Sequence, residues 1–279
     1  MSGCVSSPRL VVLSSGRRKS EAMTVLPSLL SALSSGSIDV IDLTAPLQSS
    51  TPILALPEPF GQTWPFELEE ISRYDERGPG WYWNNFRTGE HTGTHFDAPV
   101  HWVTSRDGED VAQVPAKRLV GPAAVLDFAA EAADDPDFLL EVEHVTAWQD
   151  EHGPLPDGGW LLYRTGWDIR SHSQQEFLNA NETGPHTPGI SVDCARWLAE
   201  EAPILGVGVE TVGTDAGAAH SFEPAFPCHS LLLGAGKYGL TQLRHLAQLP
   251  PQGAVLIATP LPIVGGSGSP ARVLALVQR

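Results

Sequence analysis

HTGTHFDAPVHW, residues His91–Trp102, places three histidines and an aspartate within a few turns' length of a 279-residue chain. His91 and His95 stand four apart, the spacing that puts two imidazoles on one face of a helix. Gly93, Pro99 and the β-branched Thr92 and Thr94 all resist a helix here. In an extended strand His91, His95, Asp97 and His101 share odd parity and point to one side. Four residues of strand nonetheless separate His91 from His95 by roughly 13 Å, whereas a metal holds each ligand about 2 Å from itself. The chain must therefore curl, and Gly93 is where a positive φ costs nothing. Thr92 or Thr94 can hydrogen-bond the bent backbone. His91, His95 and Asp97 then make a three-ligand set that leaves open positions on a divalent ion. His101, beyond Pro99, is near enough in sequence to flank that ion unbound, as a general base.

Outward from this stretch the chain alternates strand and helix patterns irregularly. IDVIDL (38–43), AAVLDF (123–128), WLLYRTGW (160–167), ILGVGVE, AVLIAT and RVLALV read as buried strands. Residues 26–33, DPDFLLEVEHVTAWQDEHG with Pro136 in its first turn, and SVDCARWLAEEA (191–202) with a serine cap read as helices. HSLLLGAGKYGLTQL carries a helical pattern interrupted by glycine, and four prolines keep STPILALPEPFGQTWPF irregular. These elements predict a mixed α/β domain around a substantial sheet. WYWNNF, just before the histidine stretch, offers Trp81, Trp83 and Phe86 as flat apolar walls for a ring-shaped substrate.

Seventeen basic residues against thirty-three acidic give a net charge of -16, which argues against nucleic acid and anionic membranes as partners. Cys4, Cys194 and Cys228 are far apart and lack CxxC spacing, so neither a disulfide framework nor a thiolate zinc site is expected. A reducing cytoplasm suits that usage, and no apolar run approaches the roughly 20 residues that span a bilayer. The first 22 residues are Ser-rich and basic, unlike the acidic remainder. They read as a disordered extension, or as translated upstream sequence with Met23 as the start, ahead of a single domain over 23–279.

HTGTHFDAPVH resembles the HxGTHxDxPxH signature of the metal-dependent cyclase-like amidohydrolases at every fixed position. The likeness continues through DPDFLL, EFLNANETGPHTPG, VGTDAG, FPCHSLL and GGSGSPARVLALV, and is closest to the isatin hydrolase branch, more distant from the bacterial kynurenine formamidases. It implies a swivelling β/β/α cyclase-like fold, a mixed sheet with packed helices, in a homo-oligomer of two or more chains. It also implies hydrolysis of a cyclic or aryl amide by metal-activated water, with His91, His95 and Asp97 as ligands and His101 as acid/base. His229 matches a second histidine that binds a second metal in the formamidase branch and substrate in the isatin hydrolase branch. Where the two-metal branch has a glutamate twelve residues later, this chain has Thr241, so one divalent ion per chain is expected, manganese first and zinc as the alternative. Gln242 falls where the isatin hydrolase branch carries a serine linked to proton movement, and is taken as a substrate-side residue. Asp215 in GTDAG reads as a residue that holds a loop, His186 likewise, and His220 as a surface residue with substrate selection as the alternative.

The expected reaction is therefore opening of an isatin-like lactam. Arylformamidase action on N-formylkynurenine, or hydrolysis of another cyclic imide or lactone, is the alternative. Two histidines and a carboxylate also describe non-haem Fe(II) oxygenases, but those have no evident use for His101. A non-catalytic metal- or ligand-binding module would show no turnover for His101→Ala to lose.

Overall fold

The structure is a computed structural model and describes residues 24–279, so the expected extension over 1–22, with Cys4, lies outside the described residues. The chain divides into a unit ending at Ser37 and a unit over Ile38–Arg279. In the first, α1 (Val25–Ser35) ends at Gly36, whose φ of 72° lets the next two N–H groups turn back onto Leu33 and Ala32.

The second unit contains β1 (Ile38–Asp42), β2 (Glu67–Arg73), β3 (Tyr82–Arg87), β4 (His95–Asp97), β5 (Val120–Asp127), β6 (Leu139–Leu140) and β7 (Trp160–Arg164). Beyond these come β8 (Ala180–Asn181), β9 (Gly184–Pro185), β10 (Gly189–Ile190), β11 (Gly206–Val209), β12 (Tyr238–Thr241), β13 (Ala254–Pro260) and β14 (Gly268–Gln278). Eight strands form one sheet in the order β1-β14-β13-β5-β7-β11-β12-β4, and β4 returns to pair with β14. That last pairing closes the sheet into a barrel. Strands β5, β7, β11 and β12 run parallel, and the other pairs are antiparallel.

The sequence of β7 shows why two cores form. Trp160 and Leu162 point into the barrel with Phe96, Tyr238, Leu240 and Val273. Leu161 and Tyr163, on the opposite parity, pack with Leu198 and Val145 on the helical side. A strand covered on both faces reads as a continuous apolar run, and WLLY does. The covering helices are α2 (Val142–His152) and α3 (Val192–Glu200), the latter capped by Ser191 Oγ, which accepts from Cys194 N at 3.2 Å.

Three expectations change in detail. The helix foreseen from Pro136 begins only at Val142, because Leu139–Leu140 is drawn into parallel pairing with Gly189–Ile190. His144 Nδ1 then accepts from Glu141 N at 3.0 Å and starts the helix there. The segment after His229 is a π-helical turn, Cys228–Leu233, followed by β12. WYWNNF supplies most of β3, which among the described residues pairs only with β2, in a two-stranded ribbon. Among the described residues no helix is long and apolar enough to cross a membrane, and Cys194 and Cys228 are free and buried.

Candidate metal centre

Strand β4 is three residues long and held on both edges. His95 faces Thr241 of β12 and Pro270 of β14, while Asp97 faces Gly239 and Gly268. That double pairing buries His95 and Asp97, with Asp97 only 1% exposed. Ahead of β4, Gly93 takes φ 69°, the curl that the ligand distances demand. Thr94 Oγ1 secures the bend by donating to Gln242 O at 2.7 Å and accepting from Ala45 N at 2.9 Å, and Thr92 Oγ1 donates to Trp64 O at 3.2 Å. After β4, Pro99 opens a single 3₁₀ turn in which His101 N donates to Ala98 O at 3.0 Å. The turn carries His101 back over His91.

The four side chains meet. His91 Nδ1 lies 2.7 Å from Asp97 Oδ1, and His95 Nε2 lies 3.4 Å from the same oxygen. His91 and His101 stack with centroids 3.9 Å apart, and His95 meets His91 edge-on at 5.2 Å. Ligand atoms of His91, Asp97 and His101 all fall within 4.8 Å of one another, so His101 stands as close to the common point as a ligand would. His95 Nδ1 is 2.7 Å from Gly93 O, an acceptor only, so that nitrogen carries the proton and Nε2 keeps the lone pair. Imidazole and carboxylate donors converging this tightly on one buried carboxylate fit a divalent cation.

Charge accounts for the titration of the group. Burial alone would raise Asp97, but in the metal-free site a protonated His95 supplies charge and a protonated His91 a hydrogen bond that outweigh it and hold the carboxyl well below the ordinary range. Burial pushes His101 down to about 3; charge at His91, His229 and His95 adds to this, and Asp97 opposes it. His101 is therefore neutral near pH 7, with a lone pair free to take a proton.

His229 stands on the opposite side of His101, with ring centroids 5.4 Å apart. It rides on the π-helical turn, a form that recurs at functional sites. Asp215 clamps it, accepting from its Nδ1–H, from its backbone N at 3.3 Å and from Cys228 N at 2.7 Å. Burial works to lower the His229 pKa, but the hydrogen bond and charge of Asp215 prevail and raise it. Trp102 lies beside this histidine at 4.8 Å, packs against Phe226 at 5.6 Å, and is fixed by its Nε1–H donating to Ser230 Oγ at 3.1 Å.

The remaining foreseen residues are scattered over the fold. Trp81, Trp83 and Phe86 are more than half exposed on or next to the β2–β3 ribbon, where Phe86 packs toward Phe66. The aromatic surface beside the histidines is instead Trp102 with Phe226. Gln242 is buried at φ 52°, and its side-chain amide donates to Pro52 O at 3.3 Å. Thr241 is fully buried with its Oγ1 at 2.9 and 3.0 Å from the two ring nitrogens of His95. His186 Nε2 lies 2.7 Å from Thr183 Oγ1 in its own loop and its Nδ1 2.7 Å from Asp137, 49 positions away, and His220 stands exposed in the 3₁₀ turn Gly217–Ser221. Two neighbours went unforeseen. His91 Nε2 lies 2.8 Å from Ser267 Oγ, which donates to Glu90 Oε2 at 2.6 Å. Only the glycines around Ser267 hinted that backbone passes so close there.

A closed mixed barrel with this cluster on one short strand is the architecture of a cyclase-type protein. The family described as "Putative cyclase" matches residues 41–216, and the chain belongs to it. An isatin hydrolase from Roseibium aggregatum is 46% identical over 261 residues, covering 92% of this chain and 99% of that one. A kynurenine formamidase from Salinibacter ruber is 30% identical over 196 residues, 68% of this chain and 77% of its own. Among solved structures, isatin hydrolase A from Ralstonia solanacearum superimposes with a TM-score of 0.90 at 50% identity, covering 93% of this chain and 99% of that one.

Proposed function

We propose that the protein is a metal-dependent amidohydrolase that opens an isatin-like lactam to the amino-carboxylate. The observation that carries the reading is the placement of His101: half-buried, neutral, and stacked on a ligand-type histidine beside Asp97. His91, His95 and Asp97 would hold one divalent ion per chain, manganese by preference and zinc as the alternative. Thr241 supports a single ion, since no carboxylate stands at that position against His95. A bound ion supplies Lewis acidity, making a coordinated water acidic near neutral pH and polarising an amide carbonyl.

The chain's residues do the rest. The neutral His101 takes the proton from the attacking water. The imidazolium so formed is a strong acid in its buried setting, and it passes that proton to the leaving ring nitrogen. His229, whose pKa Asp215 raises, donates in its protonated form to the carbonyl oxygen as negative charge grows there, an interaction whose loss typically costs about a hundredfold or more in rate. Trp102 and Phe226 give a flat apolar face for the fused ring.

Likeness to isatin hydrolases over almost the whole chain supports this substrate over N-formylkynurenine. The exposed aromatics of the β2–β3 ribbon support a homo-oligomer, because a lone two-stranded ribbon is marginal in water. The unlinked cysteines support a cytoplasmic setting. The test is manganese-loaded enzyme offered isatin, N-formylkynurenine and a panel of cyclic imides, with products identified by mass. Isatin opened to isatinate is the expected result; turnover of N-formylkynurenine alone would move the assignment to the formamidases.

A further inference from the structure

We propose that Glu90 and Ser267 are positioning residues that fix the ring of His91 so that Nδ1 is the atom it offers to the metal. This rests on the metal site proposed above and specifies how one ligand of it is set.

The argument is a count of protons along a short chain of contacts. Glu90 Oε2 lies 2.6 Å from Ser267 Oγ and 3.1 Å from Ser267 N. A carboxylate only accepts, so the single hydroxyl proton of Ser267 points at Glu90. The oxygen that faces His91 Nε2 at 2.8 Å therefore presents lone pairs, and Nε2 must be the nitrogen that carries hydrogen. A neutral imidazole has one such nitrogen. Nδ1 of His91 is left with a lone pair aimed at Asp97 Oδ1 only 2.7 Å away. Two facing lone pairs at that distance repel unless a cation lies against both. His95 is set the other way round, since its Nδ1–H is spent on Gly93 O. The two histidines would thus ligate through different nitrogens.

The fold brings these parts together across 176 positions. Glu90 precedes His91 directly, and Ser267 precedes β14, whose Gly268 is paired with Asp97. At Gly268 a side chain would stand 2.7 Å from His91 Cε1, so the ring lies flat on bare backbone. At Gly266 a side chain would stand 3.0 Å from Glu90 Oε1. The GGSG turn is shaped around the Glu90 carboxylate and the His91 ring. Partners of this kind orient a ligating histidine and raise its basicity, and their loss typically costs about ten- to a hundredfold in metal affinity.

The experiment uses zinc as probe on the full chain. Dissociation constants come from chelator competition for wild type, His91→Ala, Ser267→Ala, Ser267→Thr and Glu90→Ala, with metal-free melting curves to confirm folding. Long-range 1H–15N spectra of the zinc-loaded wild type report which ring nitrogen is ligated and need no variant. Expected are His91 ligated through Nδ1 with Nε2–H retained, about ten- to a hundredfold weaker zinc for Ser267→Ala and Glu90→Ala, and near-wild-type binding for Ser267→Thr. Zinc lost in His91→Ala but held at full affinity by Ser267→Ala, or ligation through Nε2 of His91, overturns this inference and leaves the metal site standing. Wild-type zinc affinity in His91→Ala overturns both.

Discussion

His91 and His101 lie ring on ring at 3.9 Å, yet only His91 has a nitrogen 2.7 Å from the Asp97 carboxylate. Two histidines so placed divide the work if one ligates and the other moves protons. His91→Ala should then lose both metal and activity, whereas His101→Ala should keep its metal and lose about a hundredfold or more in kcat. Elemental analysis alongside rate measurement separates the two. Equal metal loss in both variants would make His101 a ligand, a role its distance from Asp97 and His91 permits.

Gly93 should tolerate no side chain without loss. Its φ of 69° favours glycine, and an added Cβ would stand 2.9 Å from Leu47 Cδ1 and 3.3 Å from Thr51 Cγ2. Gly93→Ala should cost about 1–2 kcal/mol in stability and weaken metal binding, because the same bend aims His95 through its bond to Gly93 O. Urea unfolding of the metal-free protein and chelator competition measure the two effects.

The curl at Gly93 and the grouping of His91, His95, Asp97 and His101 could be read from residue types and ligand distances alone. So could the strands, because barrel strands covered on both faces are unbroken apolar runs such as WLLY. What could not be read depends on long-range register. Ser267 reaches His91 only because β14 pairs with β4, and no local pattern around 267 announces a partner so far away in sequence. The same applies to Asp215, whose bond to His229 is made by a π-helical turn that periodicity does not reveal. Trp81, Trp83 and Phe86 show the converse limit of sequence proximity. Nearness in sequence suggested a wall beside the metal; the structure has them exposed on or next to a ribbon, and the rings packed beside His229 are Trp102 with Phe226 against it.

That ribbon should matter to assembly. Trp83 and Phe86 are 55% and 59% exposed, and side chains of this size in a patch usually meet another protein surface. Trp83→Glu with Phe86→Glu should lower the mass found by sedimentation from an oligomer to a monomer. An unchanged mass would free the ribbon from that role.

Asp215 should be what raises the pKa of His229 above its ordinary value. Burial opposes the charge, and the Asp215 hydrogen bond and Coulomb attraction reverse the balance. In Asp215→Asn burial should dominate, so the His229 pKa should drop below its ordinary value. Titration of its ring protons by NMR reads this directly. The activity of Asp215→Asn should fall most at the high-pH end, where the imidazolium donor is lost first.

Glu210 should make stability depend on pH in an unusual direction. Its carboxyl is 1% exposed and accepts from Thr165 N at 2.8 Å and Gly166 N at 2.6 Å, beside a cavity of about 410 Å³ that His245 lines but His91, His95 and His101 do not. Burial, aided by Asp168, raises its pKa to about 7 against those two amides and Arg164. The unfolded chain releases this proton near the ordinary 4.5, so between there and about 7 the folded state binds more protons than the unfolded. Stability from this group is therefore full at pH 4 and falls as pH rises through the window, by up to about 3 kcal/mol. Urea unfolding of metal-free wild type and Glu210→Gln at pH 5 and pH 8 isolates the effect as a difference of differences. The variant should lose less stability than wild type between the two conditions, and an equal loss in both would place the Glu210 proton release outside this range.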